Sequence, residues 1–259
     1  MKTFIIMISF FVLTSIIQAQ VKTEPILYQD GDVELEGFLA YDKLLKSKRG
    51  GVLIIHDKYG LNDFTKKRAE EWAKLGYIAF ALDLFGKDIT INEQTDIDEL
   101  LEPFFDENQA LIPQRAQLGL GNLADHSKVD ASRIAVIGYG FGGTVAMELA
   151  RSGANLSATV NYFGKLTPLK TETNQKIKCP ILILIGSDDP KIPREDLESF
   201  KVEMNSENND WQINTYGGAV HGFTYYELGF EPSSGEAYNY NADKRSWEAV
   251  KILLLETLK

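Results

Sequence analysis

From Gln20 onward the chain alternates between two kinds of apolar spacing. Residues 24–28 and 33–41 flank Gln29-Asp30-Gly31-Asp32, and that Asp-Gly chemistry predicts a tight hairpin. Residues 51–56 (GVLIIH) then form a continuous apolar run, the pattern of a strand buried on both faces. Residues 62–75 follow with helical spacing at Phe64, Trp72 and Leu75, and stop at Gly76. Residues 77–83 are the next strand, and residues 93–126 read as helix, broken or bent near Pro103 and Pro113. Further strands are predicted at 134–137, 158–163, 181–185 and 211–216, and further helices at 142–151, 194–204 and 242–258. Strands apolar on both faces, alternating with helices, imply a mainly parallel sheet covered on both sides. In such sheets functional residues gather at the carboxyl ends of the strands.

The first nineteen residues do not fit this alternation. Lys2 supplies a positive charge, residues 4–17 are largely apolar, and Ala19 offers a small residue for cleavage. This predicts a signal peptide over 1–19, and one domain over 20–259 exported to the periplasm or secreted. An uncleaved anchor is the alternative, though the stretch is short for a membrane span. Cys179 is the only cysteine, so an exported form is held by its core rather than by an intrachain disulfide.

The formal net charge is −10, which disfavours nucleic acid and anionic membrane surfaces as partners. Three dispersed histidines and one cysteine give no zinc-type spacing, so neither a metal nor a cofactor is expected. His56, closing a buried strand, reads as a structural histidine, and His126 as a surface one.

Gly138-Tyr-Gly-Phe-Gly-Gly143 lies between a predicted strand and a predicted helix. Taken literally it matches a dinucleotide fingerprint, but the end of the next strand (residues 160–165, VNYFGK) lacks the acidic residue that a ribose needs. The same turn fits a nucleophile elbow, with the order nucleophile, acid, histidine completed by Asp188-Asp189 and His221 after later strands.

Six fragments in order carry a resemblance that spans nearly all of the chain after residue 19. They are residues 52–62 (VLIIHDKYGLN), 81–87 (ALDLFGK), 137–143 (IGYGFGG), 185–190 (IGSDDP), 217–224 (GGAVHGFT) and 238–247 (YNYNADKRSW). In them the chain resembles the dienelactone hydrolase family. The resemblance implies an α/β-hydrolase fold with an eight-stranded sheet, and a small-molecule ester or lactone as substrate. It makes His221 the general base, Asp189 its orienting carboxylate, and the backbone N–H groups of Lys58 and Phe141 the oxyanion donors. Asp57 stands where the family has Glu, a shorter side chain expected to reach less far.

Gly140 stands where the family carries Cys and the wider fold carries Ser. Glycine offers no attacking atom, so the covalent acyl-enzyme route is closed at this position. Glycine is also cheap for a strained elbow, so the fold is expected to survive. Of the substitutes, Cys179 reads as an apolar filler, and Thr144, one helical turn on, as pointing away from the elbow tip. The absent side chain is expected to leave room beside His221 for water, which predicts slow water-mediated hydrolysis or a degenerate enzyme. A non-catalytic protein binding a small carboxylate or ester in the old pocket is the alternative. Tyr59, Tyr139 and Phe223 are expected to give that pocket apolar walls. Lys58, Lys87 and Arg151 are candidates for attracting a carboxylate, each also readable as ordinary surface charge.

Overall fold

The computed structural model describes residues 19–92, 94–105, 111–169 and 175–259. The predicted signal segment up to residue 18 lies outside the described residues.

Two long strands, β1 (Val21–Asp30) and β2 (Val33–Asp42), form the predicted hairpin, with Gly31 at φ +59° in the turn. The alternation then runs β3 (Arg49–Ile55), α1 (Asp63–Lys74), β4 (Ile78–Leu82), α2 (Ile97–Phe105), α3 (Leu111–Asp125), β5 (Val129–Tyr139) and α4 (Phe141–Arg151). It ends with β6 (Ala158–Tyr162), β7 (Ile181–Gly186), α5 (Arg194–Ser206), β8 (Trp211–Tyr216) and α6 (Tyr240–Thr257). The eight strands form one sheet in the order β1-β2-β4-β3-β5-β6-β7-β8, antiparallel at β1, β2 and β4 and parallel from β4 to β8.

Each central strand feeds two cores, because successive side chains leave a strand on opposite faces. Leu53 and Ile55 join Val136, Val145 and Leu149 on one side, with Phe200 of α5. Val52 and Ile54 join Ile137, Trp72 and Leu254 on the other, beneath α1 and α6. This double burial explains the unbroken apolar runs that marked the strands.

Local chemistry sets the helix ends. Asn62 caps α1 by accepting from the Thr65 N–H at 3.1 Å, and Gly76 follows the helix at φ +92°. Asp96 caps α2 through the N–H groups of Asp98 and Glu99. Of the expected helix over 93–126, broken or bent near Pro103 and Pro113, the described residues form α2 and α3. Pro113 is the third residue of α3, where its missing N–H would have had no helical partner, and Pro103 sits within α2. Residues 106–110, between the two helices, lie outside the described residues. Trp247 is half-buried and packs on Trp72 with ring centres 4.1 Å apart.

Neither Arg151 nor Lys87 is available to attract a substrate carboxylate. Lys87 pairs with Glu34 at 2.7 Å. Arg151 is buried at the end of α4, bonded to Glu148 (2.8 Å), to Glu203 (2.7 Å) and to the Leu166 carbonyl (2.7 Å). Removing one partner of a buried pair leaves a charge without compensation, at a cost of about 3–5 kcal/mol. Arg151→Met is therefore expected to lower the urea midpoint by roughly that much stability, measured by equilibrium unfolding.

Candidate active site

Strand β5 runs into α4 through a turn whose tip is Gly140, at φ +52° and ψ −116°. Close packing explains the neighbouring glycines. A β-carbon on Gly138 would lie 2.0 Å from the Gly142 carbonyl oxygen, and one on Gly142 would lie 2.3 Å from that of Ile55. The Gly140 N–H donates to the Tyr162 carbonyl at 2.8 Å, which ties the turn to the neighbouring strand.

Asp189 follows β7 and His221 follows β8. The imidazole Nδ1 lies 3.0 Å from Asp189 Oδ2, and both residues are buried. A carboxylate only accepts, so Nδ1 carries the proton and Nε2 keeps its lone pair. The Lys191 N–H donates to the other Asp189 oxygen at 2.8 Å, fixing the carboxylate from behind. Asp188 is exposed and accepts from Ser187 instead, so of the adjacent pair only Asp189 reaches the histidine.

Gly140, Asp57 and His221 line one cavity of about 500 Å³. Its other walls come from Ile97, Leu101 and Phe105 of α2, from Phe141 and Phe163, and from Ile192. The volume is that of an ordinary small-ligand site.

Asp57 departs most from expectation. Its Oδ1 accepts from the Phe141 N–H at 2.8 Å and from the Lys58 N–H at 2.7 Å. Those two N–H groups converge as the resemblance implies, but on a carboxylate of the chain itself. A β-carbon on Gly140 would stand 2.2 Å from that oxygen and 2.4 Å from Oδ2. The place that a side chain on Gly140 would take is thus filled by Asp57, and the shorter side chain does reach. It settles against the turn because Gly140 has no side chain to exclude it. The same carboxylate opposes a pyrophosphate over the turn, and the β6 end at Tyr162-Phe163-Gly164 brings no ribose acceptor, so the dinucleotide reading falls.

A model of the dienelactone hydrolase family matches residues 35–258. The chain belongs to the dienelactone hydrolase family. Among solved structures it is similar to a dienelactone hydrolase-like promiscuous phosphotriesterase from metagenomic libraries, at 33% identity and a TM-score of 0.87, covering 92% of this chain and 99% of that one. It is 26% identical over 198 residues to a putative carboxymethylenebutenolidase of Escherichia coli (strain K12), covering 71% of this chain and 72% of the relative. A probable 2-oxo-3-(5-oxofuran-2-ylidene)propanoate lactonase of Bradyrhizobium is 25% identical over 214 residues, covering 78% of this chain and 82% of the relative. The eight-stranded sheet with its antiparallel hairpin is the α/β-hydrolase fold that such dienelactone hydrolases share.

Within this dienelactone hydrolase frame, three expected pocket walls lie elsewhere. Tyr139 precedes the elbow by one residue and so faces the other side of the sheet, stacked on Tyr162 at 4.6 Å. Phe223 is fully buried in the same core. Tyr59 lines a neighbouring depression with Gly60 and Asp83, and its hydroxyl donates to Glu236 at 3.3 Å. Thr144, expected to point away, does line the cavity, but its hydroxyl is engaged with the Lys165 N–H at 3.0 Å. Cys179 is buried against Thr159, and burial pushes its thiol pKa up. His56 is buried with Nδ1 on the Asp57 carbonyl (2.7 Å) and Nε2 on the Leu84 N–H (3.1 Å), and burial lowers its pKa. It braces the Asp57 backbone as a structural histidine. His126 is partly exposed, 5.4 Å from the Tyr41 ring.

Sequence reasoning missed Glu236, which joins Lys58 (3.2 Å) and Lys191 at the cavity rim. Burial raises the cost of its charge, but the Lys191 hydrogen bond and the charges of Lys58 and Lys191 outweigh it and hold the carboxyl at about 2. A depressed acid stabilises the fold fully above its ordinary value near 4.5 and loses that contribution as pH falls toward 2. Glu236→Gln is expected to flatten the acid-unfolding profile in that window and to leave stability above it only slightly lowered, as read by circular dichroism against pH. The effect is small because the group is partly solvated.

Proposed function

We propose that this chain is an exported hydrolase acting on a small ester or lactone, in which His221, oriented by Asp189, activates water and no covalent acyl-enzyme forms. The observation that carries the reading is an intact Asp189–His221 pair sharing a cavity with Gly140, a residue that has no attacking atom. The family, and a relative whose name is that of a lactonase, support the substrate class.

The chemistry starts at Nε2, which takes a proton from water as its oxygen attacks the acyl carbon. The carbonyl oxygen then needs the Lys58 and Phe141 N–H groups, which Asp57 holds. Hydrogen bonds to a charged group contribute about 1.5–3 kcal/mol each, so rotating Asp57 out adds to the barrier. Oxyanion donors and binding alone can leave about 10³–10⁴-fold acceleration after a triad member is lost, and with both donors occupied the expected acceleration is at or below that range.

A small activated ester tests the reading. Wild-type protein is expected to hydrolyse it slowly above the buffer rate, and His221→Ala to return it to background. An unchanged rate in His221→Ala would remove His221 as the base. Tight ligand binding without turnover in the wild type would favour a binding protein, a reading to which the closed donor pair also lends itself.

A further inference from the structure

We propose that Asp57 is itself a nucleophile toward a saturated carbon, and that the cavity hydrolyses small apolar epoxides through a covalent ester on this side chain. The inference goes beyond the ester reading above, which does not use Asp57 as a reactant.

The geometry carries it. Oδ1 is fixed by two N–H donors, at 2.7 and 2.8 Å. Oδ2 accepts no hydrogen bond among the described residues and lies 2.4 Å from where a β-carbon on Gly140 would stand. The carboxylate therefore fills the place where an elbow side chain would begin, and Asp57 lines the cavity that His221 lines. Among side chains in that space, the carboxylate takes the place of the missing nucleophile.

Leaving-group chemistry decides which substrate suits it. Attack on an ester carbonyl would form an anhydride, and the resulting intermediate expels the carboxylate more readily than an alkoxide, so it reverts. Attack on an epoxide carbon forms a stable alkyl ester and releases ring strain. In the first step Oδ2 bonds to the ring carbon, the ring C–O bond breaks, and its electron pair stays on oxygen. That oxygen takes a proton from a wall ammonium, Lys165 being one such group.

In the second step His221 Nε2 takes a proton from water, and the hydroxide adds to Cγ of Asp57. The oxyanion forms on Oδ1, already bonded to the Lys58 and Phe141 N–H groups. The bond from Cγ to the alkyl-bearing oxygen breaks, and the leaving alkoxide takes the proton from His221. The Asp57 carboxyl loses its proton to solvent, the wall ammonium regains one, and the net reaction is epoxide plus water to diol. The donor pair that hinders ester hydrolysis thus serves this reaction. The apolar wall of Leu101, Phe105, Phe141 and Phe163 suits an aryl or alkyl group.

Styrene oxide is the probe. One turnover with excess wild-type protein in ¹⁸O-water is expected to give a diol whose new oxygen is unlabelled, with the label in Asp57 by peptide mass. His221→Gln is expected to hold the adduct, its mass raised by that of one styrene oxide and mapped to Asp57, with diol formation at least 100-fold slower. Asp57→Asn keeps an acceptor for both N–H groups and is expected to form neither adduct nor diol. A labelled diol in the first turnover, an adduct elsewhere, or no diol from the wild type would overturn the proposal. His221-dependent ester hydrolysis by the wild type is read separately, so either reading can fail alone.

Discussion

Gly140→Cys is expected to raise hydrolysis of an activated ester by about 10²–10⁴-fold over the wild type. Removing the nucleophile of a serine protease costs about a millionfold in turnover, and a reinstalled thiol recovers part of such a deficit. Recovery is partial because the new β-carbon would lie 2.2 Å from Asp57 Oδ1. The carboxylate is the end of a rotatable side chain, so it yields, and its departure opens the Lys58 and Phe141 N–H groups to the substrate. The same change carries a stability penalty. A non-glycine residue at φ +52° costs about 1–3 kcal/mol, and two charge-assisted hydrogen bonds are lost besides. Higher turnover with a lower melting temperature is the expected pair of results. A stable, properly folded Gly140→Cys with no gain would mean that Asp57 keeps the donor pair even against a neighbouring side chain.

Asp189→Asn, made in the Gly140→Cys background, is expected to remove most of that gain, returning the rate to within about tenfold of the wild type. The amide presents either a donor or a poorer acceptor to Nδ1, so the imidazole loses both its tautomer and the stabilisation of its charged form, which cost about 10⁴-fold in a serine protease. Steady-state kinetics against pH check this. The buried position of Asp189, with the Lys191 N–H on its second oxygen, leaves Asp188 no route to substitute for it.

The sheet was legible because its strands are apolar on both faces, as at residues 51–56 and 181–185, and because Gly76 and the Asp30-Gly31 turn punctuate them. His221 and the Asp188-Asp189 dipeptide were legible from chain order and strand ends, and the family resemblance pointed to Asp189 of the two. The pocket walls were not. Tyr139 is adjacent to the elbow in sequence, yet strand alternation turns it to the opposite face, while Phe105 and Leu101 reach the cavity from a helix distant in sequence. Proximity along the chain was a poor guide because the wall is assembled across the top of the sheet. Asp57 was misjudged for a related reason. Side-chain length alone does not set its reach, because the missing β-carbon at Gly140 lets the carboxylate settle against the backbone. Glu236 gave no signal in sequence; only the bridge between His221 and Glu236 brings it over the site.

The mass of the intact wild-type protein during turnover of an activated ester bears most directly on the absence of an acyl-enzyme route. Product is expected to accumulate slowly while the protein keeps its unmodified mass. A wild-type protein carrying the acyl group, formed at a rate that matches product release, would contradict the central role given to Gly140.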